Sequence, residues 1–334
     1  MAVNCKYLRQ KNLSRLILHA CIAAGFIGAV AGCTSQPASP DESIGNKKTI
    51  NVVCTTGPVA DILRNLGGER LNVIGLMGPG VDPHLYRAST ADVERLHSAD
   101  MIFYNGLHLE GRMADMFETM SKRKPTFAVT KSLVDENNPK LRKPAEFEGY
   151  FDPHVWHNPT LWAECVKYTA KVLGEQDPSH REMYEKNASA YLKQLEEANT
   201  YCRQQLETIP AEQRVLVSVH DAFNYFCAEY GLTSMPLKGV STEDQVTIGR
   251  MDEVVQFLVD RKIKAVFVES AAAPQIVEAL IEPCLKAGHE VKVGPKPGVE
   301  FVLYADALGP VGSGADNYVG MIKANVDTIV SALK

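Results

Sequence analysis

Residues 177–213 read DPSHREMYEKNASAYLKQLEEANTYCRQQLETIPAEQ, a polar run rich in Glu, Lys, Gln and Ala within a chain of 334 residues. Tyr184, Ala188, Tyr191, Leu195 and Ala198 recur at intervals of three and four, which places one apolar stripe on an amphipathic helix. Asp177 and Pro178 supply an N-cap and a proline for its first turn. At about 1.5 Å per residue, the helix predicted over Pro178–Leu206 is roughly 40 Å long, more than one domain of this size demands. It reads as a strut, and the segments on either side of it decide the fold.

On the N-terminal side, short β-branched or apolar runs alternate with amphipathic stretches. The pattern predicts strand Ile50–Thr55, helix Val59–Leu66, strand Leu71–Gly75, helix Thr90–Ser98 and strand Met101–Tyr104, and then stops. Beyond the strut it resumes with strand Arg214–Val219, helix Ile248–Lys262, strand Ala265–Val268, helix Pro274–Ala287, strand Glu290–Val293 and helix Asn317–Leu333. Such alternation implies right-handed βαβ units around mainly parallel sheets. The expected fold is therefore α/β, with two lobes, each a mainly parallel sheet flanked by helices, joined by one long rigid helix. The expected boundaries are 49–176 for the N-terminal lobe, 177–213 for the linking helix and 214–334 for the C-terminal lobe. No internal repeat with matching residues relates the halves.

The start of the chain has a different composition. Residues 1–32 contain Lys6, Arg9, Lys11 and Arg15 and no acid, followed by the apolar run Leu16–Gly32. A basic flank and a run marginal for a bilayer of about 30 Å match a secretory signal peptide. The run ends Val30-Ala31-Gly32-Cys33, which resembles the lipobox of bacterial lipoproteins and implies cleavage before Cys33 and lipidation of its thiol. Residues 33–48 then read as a polar tether. An ordinary signal peptide or an uncleaved anchor helix is the alternative.

Of the 35 basic residues, 31 remain beyond residue 32 against 40 acids, a net charge of -9. Such a body lacks the basic excess that nucleic acid binding needs. Cys54, Cys165, Cys202, Cys227 and Cys284 follow, odd in number and without C-x-x-C spacing, so buried free thiols are expected over a disulfide framework.

Ligands of open α/β sheets bind at the carboxyl ends of strands. Metal-competent residues fall there: His84 in a Gly/Pro loop after the second strand, His154 in Phe151-Asp152-Pro153-His154, His220 after Val215–Val219, and Asp306 after the last strand. His84 and His154 belong to one half, His220 and Asp306 to the other, so a metal bound by all four sits between the lobes. Three imidazoles and a carboxylate suit a divalent first-row ion. The Asp-Pro pairs before His84 and His154 stiffen both loops. His108 and His157 are the nearest rivals, and any one of these histidines can also be an ordinary hydrogen-bonded side chain.

Taken together, Asp82-Pro83-His84-Leu85-Tyr86, Asn105-Gly106-Leu107-His108-Leu109-Glu110, Asp152-Pro153-His154-Val155-Trp156, Val219-His220-Asp221-Ala222-Phe223-Asn224-Tyr225-Phe226, Val268-Glu269-Ser270 and Asp306-Ala307-Leu308-Gly309 resemble the zinc and manganese receptors of bacterial ABC importers. The resemblance runs from about Ile50 to the C-terminus. It implies that His84, His154, His220 and Asp306 are the metal ligands, that a rigid helix joins the lobes, and that the chain is not an enzyme. It further implies a monomeric, lipid-anchored receptor outside the cytoplasmic membrane that hands a transported Zn2+ or Mn2+ to an ABC permease.

Nitrogen-rich ligation favours zinc. Many manganese receptors of the family carry Glu where this chain has His220, whereas the His-rich acidic loop of many zinc receptors is absent, since Ser121–Tyr150 contains no His. A bidentate Asp306 makes a five-coordinate manganese site acceptable. Glu269 is either an acceptor for a ligand imidazole or a plain strand-end carboxylate. Because imidazole binds metal only when neutral, affinity is expected to fall below about pH 6. A secreted metal-dependent hydrolase and a surface adhesin with a structural metal are the rival classes, although no His-Glu-x-x-His motif is present.

Overall fold

The N-terminal alternation folds into one four-stranded parallel sheet. β1 (Ile50–Cys54), α1 (Gly57–Gly67), β2 (Leu71–Gly75), α2 (Thr90–Ser98), β3 (Met101–Tyr104), α3 (Ala114–Ser121) and β4 (Thr126–Ala128) follow one another, and the strand order is β2-β1-β3-β4. Val52 lies opposite Val73 on one side and Met101 on the other. The computed structural model describes residues 44–147, 149–294 and 301–334, so the expected signal segment, Cys33 and nearly all of the 33–48 tether lie outside the described residues. Local chemistry sets the helix starts. Pro58 occupies the first turn of α1, and Ser89 and Asp92 form a reciprocal capping box at α2.

After the short α4 (Lys131–Asp135), two long helices form a hairpin, α5 (Pro159–Gln176) and α6 (Arg181–Leu206). α5 was not expected, because its buried residues, among them Leu161, Trp162, Cys165, Val166, Thr169, Ala170 and Leu173, surround most of the helix and leave no clear polar face. α6 is the strut, with Tyr184, Ala188, Tyr191, Leu195, Ala198, Cys202 and Leu206 buried along one stripe. Its start differs from expectation: Pro178–His180 is a 3-10 turn, and Asp177 makes no cap. The Asp177 carboxylate instead accepts from Arg70 Nε at 2.7 Å, Tyr184 Oη at 3.0 Å and His180 Nδ1 at 3.1 Å.

α6 reaches into both halves. Its Tyr191 hydroxyl donates to Asp61 of α1 at 2.6 Å, and ten residues on, Tyr201 donates to Asp327 of the final helix, α11 (Tyr318–Leu333), at 2.5 Å.

The C-terminal half contains β5 (Val215–Leu216), α7 (Asn224–Tyr230), β6 (Thr233–Ser234), α8 (Ile248–Arg261), β7 (Ala265–Val266), β8 (Val268–Glu269), α9 (Gln275–Glu278), α10 (Ile281–Lys286), β9 (Lys292–Val293) and β10 (Val302–Leu303) before α11. Its strands pair in parallel as β5 with β6, β7 with β9 and β8 with β10. Backbone bonds continue these short ladders: Met235 N to Leu216 O, Leu237 N to Ser218 O and Phe267 N to Val217 O, each 2.9 to 3.0 Å. The second strand thus flanks the first, which flanks the third, as in the N-terminal sheet.

The helix expected over Pro274–Ala287 is broken between α9 and α10. Pro283 has no N–H for the Ala279 carbonyl and its ring crowds that turn. Val215, Val217, Val219, Val254, Leu258, Val266 and Val268 build a core under this sheet, while a larger core runs from β1 and α1 through α5 and α6 to α11. The five cysteines named above are free and buried, as expected. Among the described residues no helix is long and apolar enough to cross a membrane.

Candidate metal centre

Four loops at the carboxyl ends of the two sheets bring His84, His154, His220 and Asp306 together. One potential ligand atom from each lies within 4.8 Å of all the others, and no side chain of the set is more than 5% exposed. His154 Nε2 is 3.2 Å from His84 Nε2 and 3.3 Å from His220 Nε2. The Asp306 oxygens approach His154 Nε2 and His220 Nε2, each at 3.4 Å. A tetrahedron with metal–ligand bonds of about 2.1 Å has edges of about 3.4 Å, so the four spacings around His154 and Asp306 match those of a small divalent ion.

The outer ring nitrogens are already committed. His154 Nδ1 donates to Asp152 Oδ1 at 2.8 Å, and His220 Nδ1 donates to Glu269 Oε2 at 2.5 Å. Once neutral, each ring therefore presents the Nε2 lone pair inward, the arrangement that a metal requires. Glu269 also accepts from the backbone nitrogens of Val219 and His220, at 2.8 and 3.0 Å, and so fixes the loop along with the ring. It is an acceptor for a ligand-candidate imidazole, one of the two roles open to it from sequence.

Asp152 is the residue that sequence reading undervalued. In both Asp-Pro-His segments the Asp Oδ1 accepts the His backbone N–H, at 2.9 Å for Asp82 and 3.0 Å for Asp152, but only Asp152 also takes the ring nitrogen. The signal was present as the repeated tripeptide. Its meaning depended on Tyr225, whose hydroxyl donates to Asp152 O at 2.9 Å and holds that loop in place.

Inward-facing lone pairs beside a buried carboxylate make an electrostatic well for positive charge. Burial disfavours charge on His154 and His220, but the facing carboxylates of Asp152, Glu269 and Asp306 outweigh it: His154 is raised, and His220 is raised well above the usual imidazole value. Burial likewise disfavours an ionised Asp306, yet the three imidazoles hold it well below the usual carboxylate range. His84, without a carboxylate on its ring, is pushed down to about 3 by burial. Asp306 Oδ1 is buried and makes no hydrogen bond among the described residues, facing only the His154 ring at 3.4 Å, so a cation would complete its surroundings.

The rival histidines stay outside this group. Buried His157 donates from Nε2 to Ala305 O at 2.8 Å and is pushed down to about 3, chiefly by burial. His108 stacks on Tyr150 with ring centroids 3.9 Å apart. It ends a run of positive φ, Gly106 at 89°, Leu107 at 54° and His108 at 67°. Buried Glu110 braces that run through Asn105 N, Gly106 N and the Thr55 hydroxyl, while the Asn105 amide donates to Pro153 O at 3.1 Å, beside His154. Three imidazoles and a carboxylate fill a four-coordinate sphere, whereas a hydrolytic centre keeps one position open for water.

Comparison with known proteins gives the same direction. The manganese-binding lipoprotein MntA of Bacillus subtilis is 38% identical over 307 residues, covering 92% of this chain and 95% of that protein. The zinc-binding protein TroA of Treponema pallidum is 38% identical over 314 residues, 94% and 97% of the two chains. Its solved structure aligns with a TM-score of 0.77, covering 85% of this chain and 99% of that one, and Fe(III)-bound YtgA from Chlamydia trachomatis aligns with a TM-score of 0.75 at 26% identity, covering 85% and 98%. A family model described as the periplasmic component A of the zinc-uptake complex matches residues 52–332. The chain belongs to this ZnuA family of metal-binding solute receptors of ABC importers, a family of binding proteins and not of enzymes.

Proposed function

We propose that this chain captures one divalent transition metal between its lobes, outside the cytoplasmic membrane, and delivers it to an ABC permease. His84, His154, His220 and Asp306 are the ligands in this reading. The observation that carries it is the convergence of three Nε2 atoms and a carboxylate in a buried centre, with two rings pre-oriented by Asp152 and Glu269. The lobes are taken as 49–176 and 214–334, joined by 177–213.

Zinc is the favoured ion, because three borderline nitrogen donors beside one carboxylate suit it best. Manganese is the second reading, favoured by the position of Asp306, whose two oxygens each approach a different imidazole and so can both reach one ion. Elemental analysis of protein purified from its native envelope tests the choice: about one zinc per chain is expected, and manganese in its place would reverse the preference.

Lipidation at Cys33 is supported by the lipobox-like sequence and by the lipoprotein relative MntA. A Cys33→Ser chain is expected to leave the membrane fraction, and the mature protein to carry diacylglycerol mass; a wild-type chain without lipid would refute the anchor. The receptor is proposed to act as a monomer, which sedimentation of the soluble variant tests.

A further inference from the structure

The four candidate ligands are not held equally. Trp156 Nε1 at 2.9 Å and His157 Nε2 at 2.8 Å both donate to the Ala305 carbonyl, tying the loop of His154 to the loop of Asp306. Tyr225 ties the same His154 loop to α7, and Glu269 grips the backbone and ring of His220. Parting the halves between these loops breaks several buried hydrogen bonds together. His84 has no such anchor. Its backbone N–H meets Asp82, its Nε2 faces His154, and its Nδ1 makes no hydrogen bond among the described residues.

His84 also lines a cavity of about 310 Å³, together with His108, Arg112, Glu146, Glu243 and Asp244. The next residue, Leu85, is 42% exposed and offers its carbonyl to Arg112 Nη1 at 3.1 Å. Arg112 Nε in turn donates to Glu243 of the C-terminal half at 2.7 Å. Upstream, Gly80 has φ of +73°, a conformation glycine adopts without a Cβ penalty, so the His84 loop turns on a glycine at one end and meets the clasp at the other.

We infer that metal enters and leaves past His84, and that Arg112, clasped to Glu243, is a positioning residue that holds the His84 loop shut and sets the rate of metal release. The inference rests on the four-ligand reading above. The carboxylates of Glu146, Glu243 and Asp244 at the cavity raise the local cation concentration on this side. Arg112 is suited to the clasp because one guanidinium serves the Leu85 carbonyl and the Glu243 carboxylate at once.

The test is zinc release from the zinc-loaded full-length mature chain into excess chelator, followed by stopped flow. Arg112→Ala is expected to release zinc on the order of tenfold faster than wild type, Glu243→Gln to shift in the same direction, and Arg112→Lys to lie between. The clasp is partly exposed, so wild-type release is expected to quicken as salt rises to about 0.5 M while Arg112→Ala release does not. Metal-free melting temperatures are expected to match, which separates a clasp from general loosening. Release within twofold of wild type in both Arg112→Ala and Glu243→Gln, or faster release matched by lower metal-free melting temperatures, overturns the inference. Failure of the wild type to take up zinc would instead overturn the four-ligand reading beneath it.

Discussion

His220 and His154 each give their Nδ1 proton to a carboxylate, Glu269 and Asp152, and this leaves Nε2 as the inward donor. Replacing Glu269 by Gln keeps the shape and removes the charge, so zinc affinity is expected to fall about 10- to 100-fold with the far-UV circular dichroism unchanged. A competitive titration with a chromogenic chelator checks this, and unchanged affinity would mean that Glu269 only braces the loop. The raised values of His154 and His220 carry a second expectation. Any proton these rings hold must leave when metal arrives, so the calorimetric enthalpy should vary with buffer ionisation and affinity should decline as pH falls. A slope of zero would contradict it. At this scale the candidate ligands were legible from their position after strands, but the difference between Asp82 and Asp152 was not. It depends on which way an imidazole turns, and tertiary contacts decide that.

The α5–α6 hairpin turns at Asp177, whose carboxylate gathers Arg70, His180 and Tyr184. Burial opposes its ionisation, but Arg70 and the other donors outweigh it and hold Asp177 below the usual carboxylate range. Its contribution to stability is therefore full above the unfolded value of about 3.9 and is lost as pH falls through the lower folded value. Asp177→Asn leaves buried Arg70 without its counter-charge and is expected to cost about 3 kcal/mol by urea unfolding at pH 7, with a smaller difference from wild type in strong acid. An equal cost at both pH values would show that the charge is not the cause. The elements were legible where a stripe was one-sided, as in α6, or where a run was β-branched, as in β1. α5 hid because apolar residues surround it, and the α9–α10 break hid because the apolar spacing continues through Pro283 while the backbone cannot.

In both halves the second strand flanks the first, which flanks the third, although no residue-level repeat relates them. The alternation of elements needs only periodicity and turn chemistry, which is why the two-lobed fold could be read without a repeat. The relative placement of the lobes could not be read, because it rests on contacts such as Trp156 to Ala305 and Tyr225 to Asp152 between distant parts of the chain. In the proposed four-ligand centre the metal would be held by residues from both halves, which couples its binding to the whole molecule. At a thousand-fold excess of free zinc over Kd, the chain is expected to gain about 4 kcal/mol of stability, lost again on chelation. The most direct measurement is equilibrium dialysis of zinc against wild type and the His220→Ala, Asp306→Ala double variant, with melting curves of both metal-free proteins. One zinc per wild-type chain and no tightly held zinc in a folded double variant is the predicted result. A folded double variant that still retains one zinc would contradict the four-ligand centre.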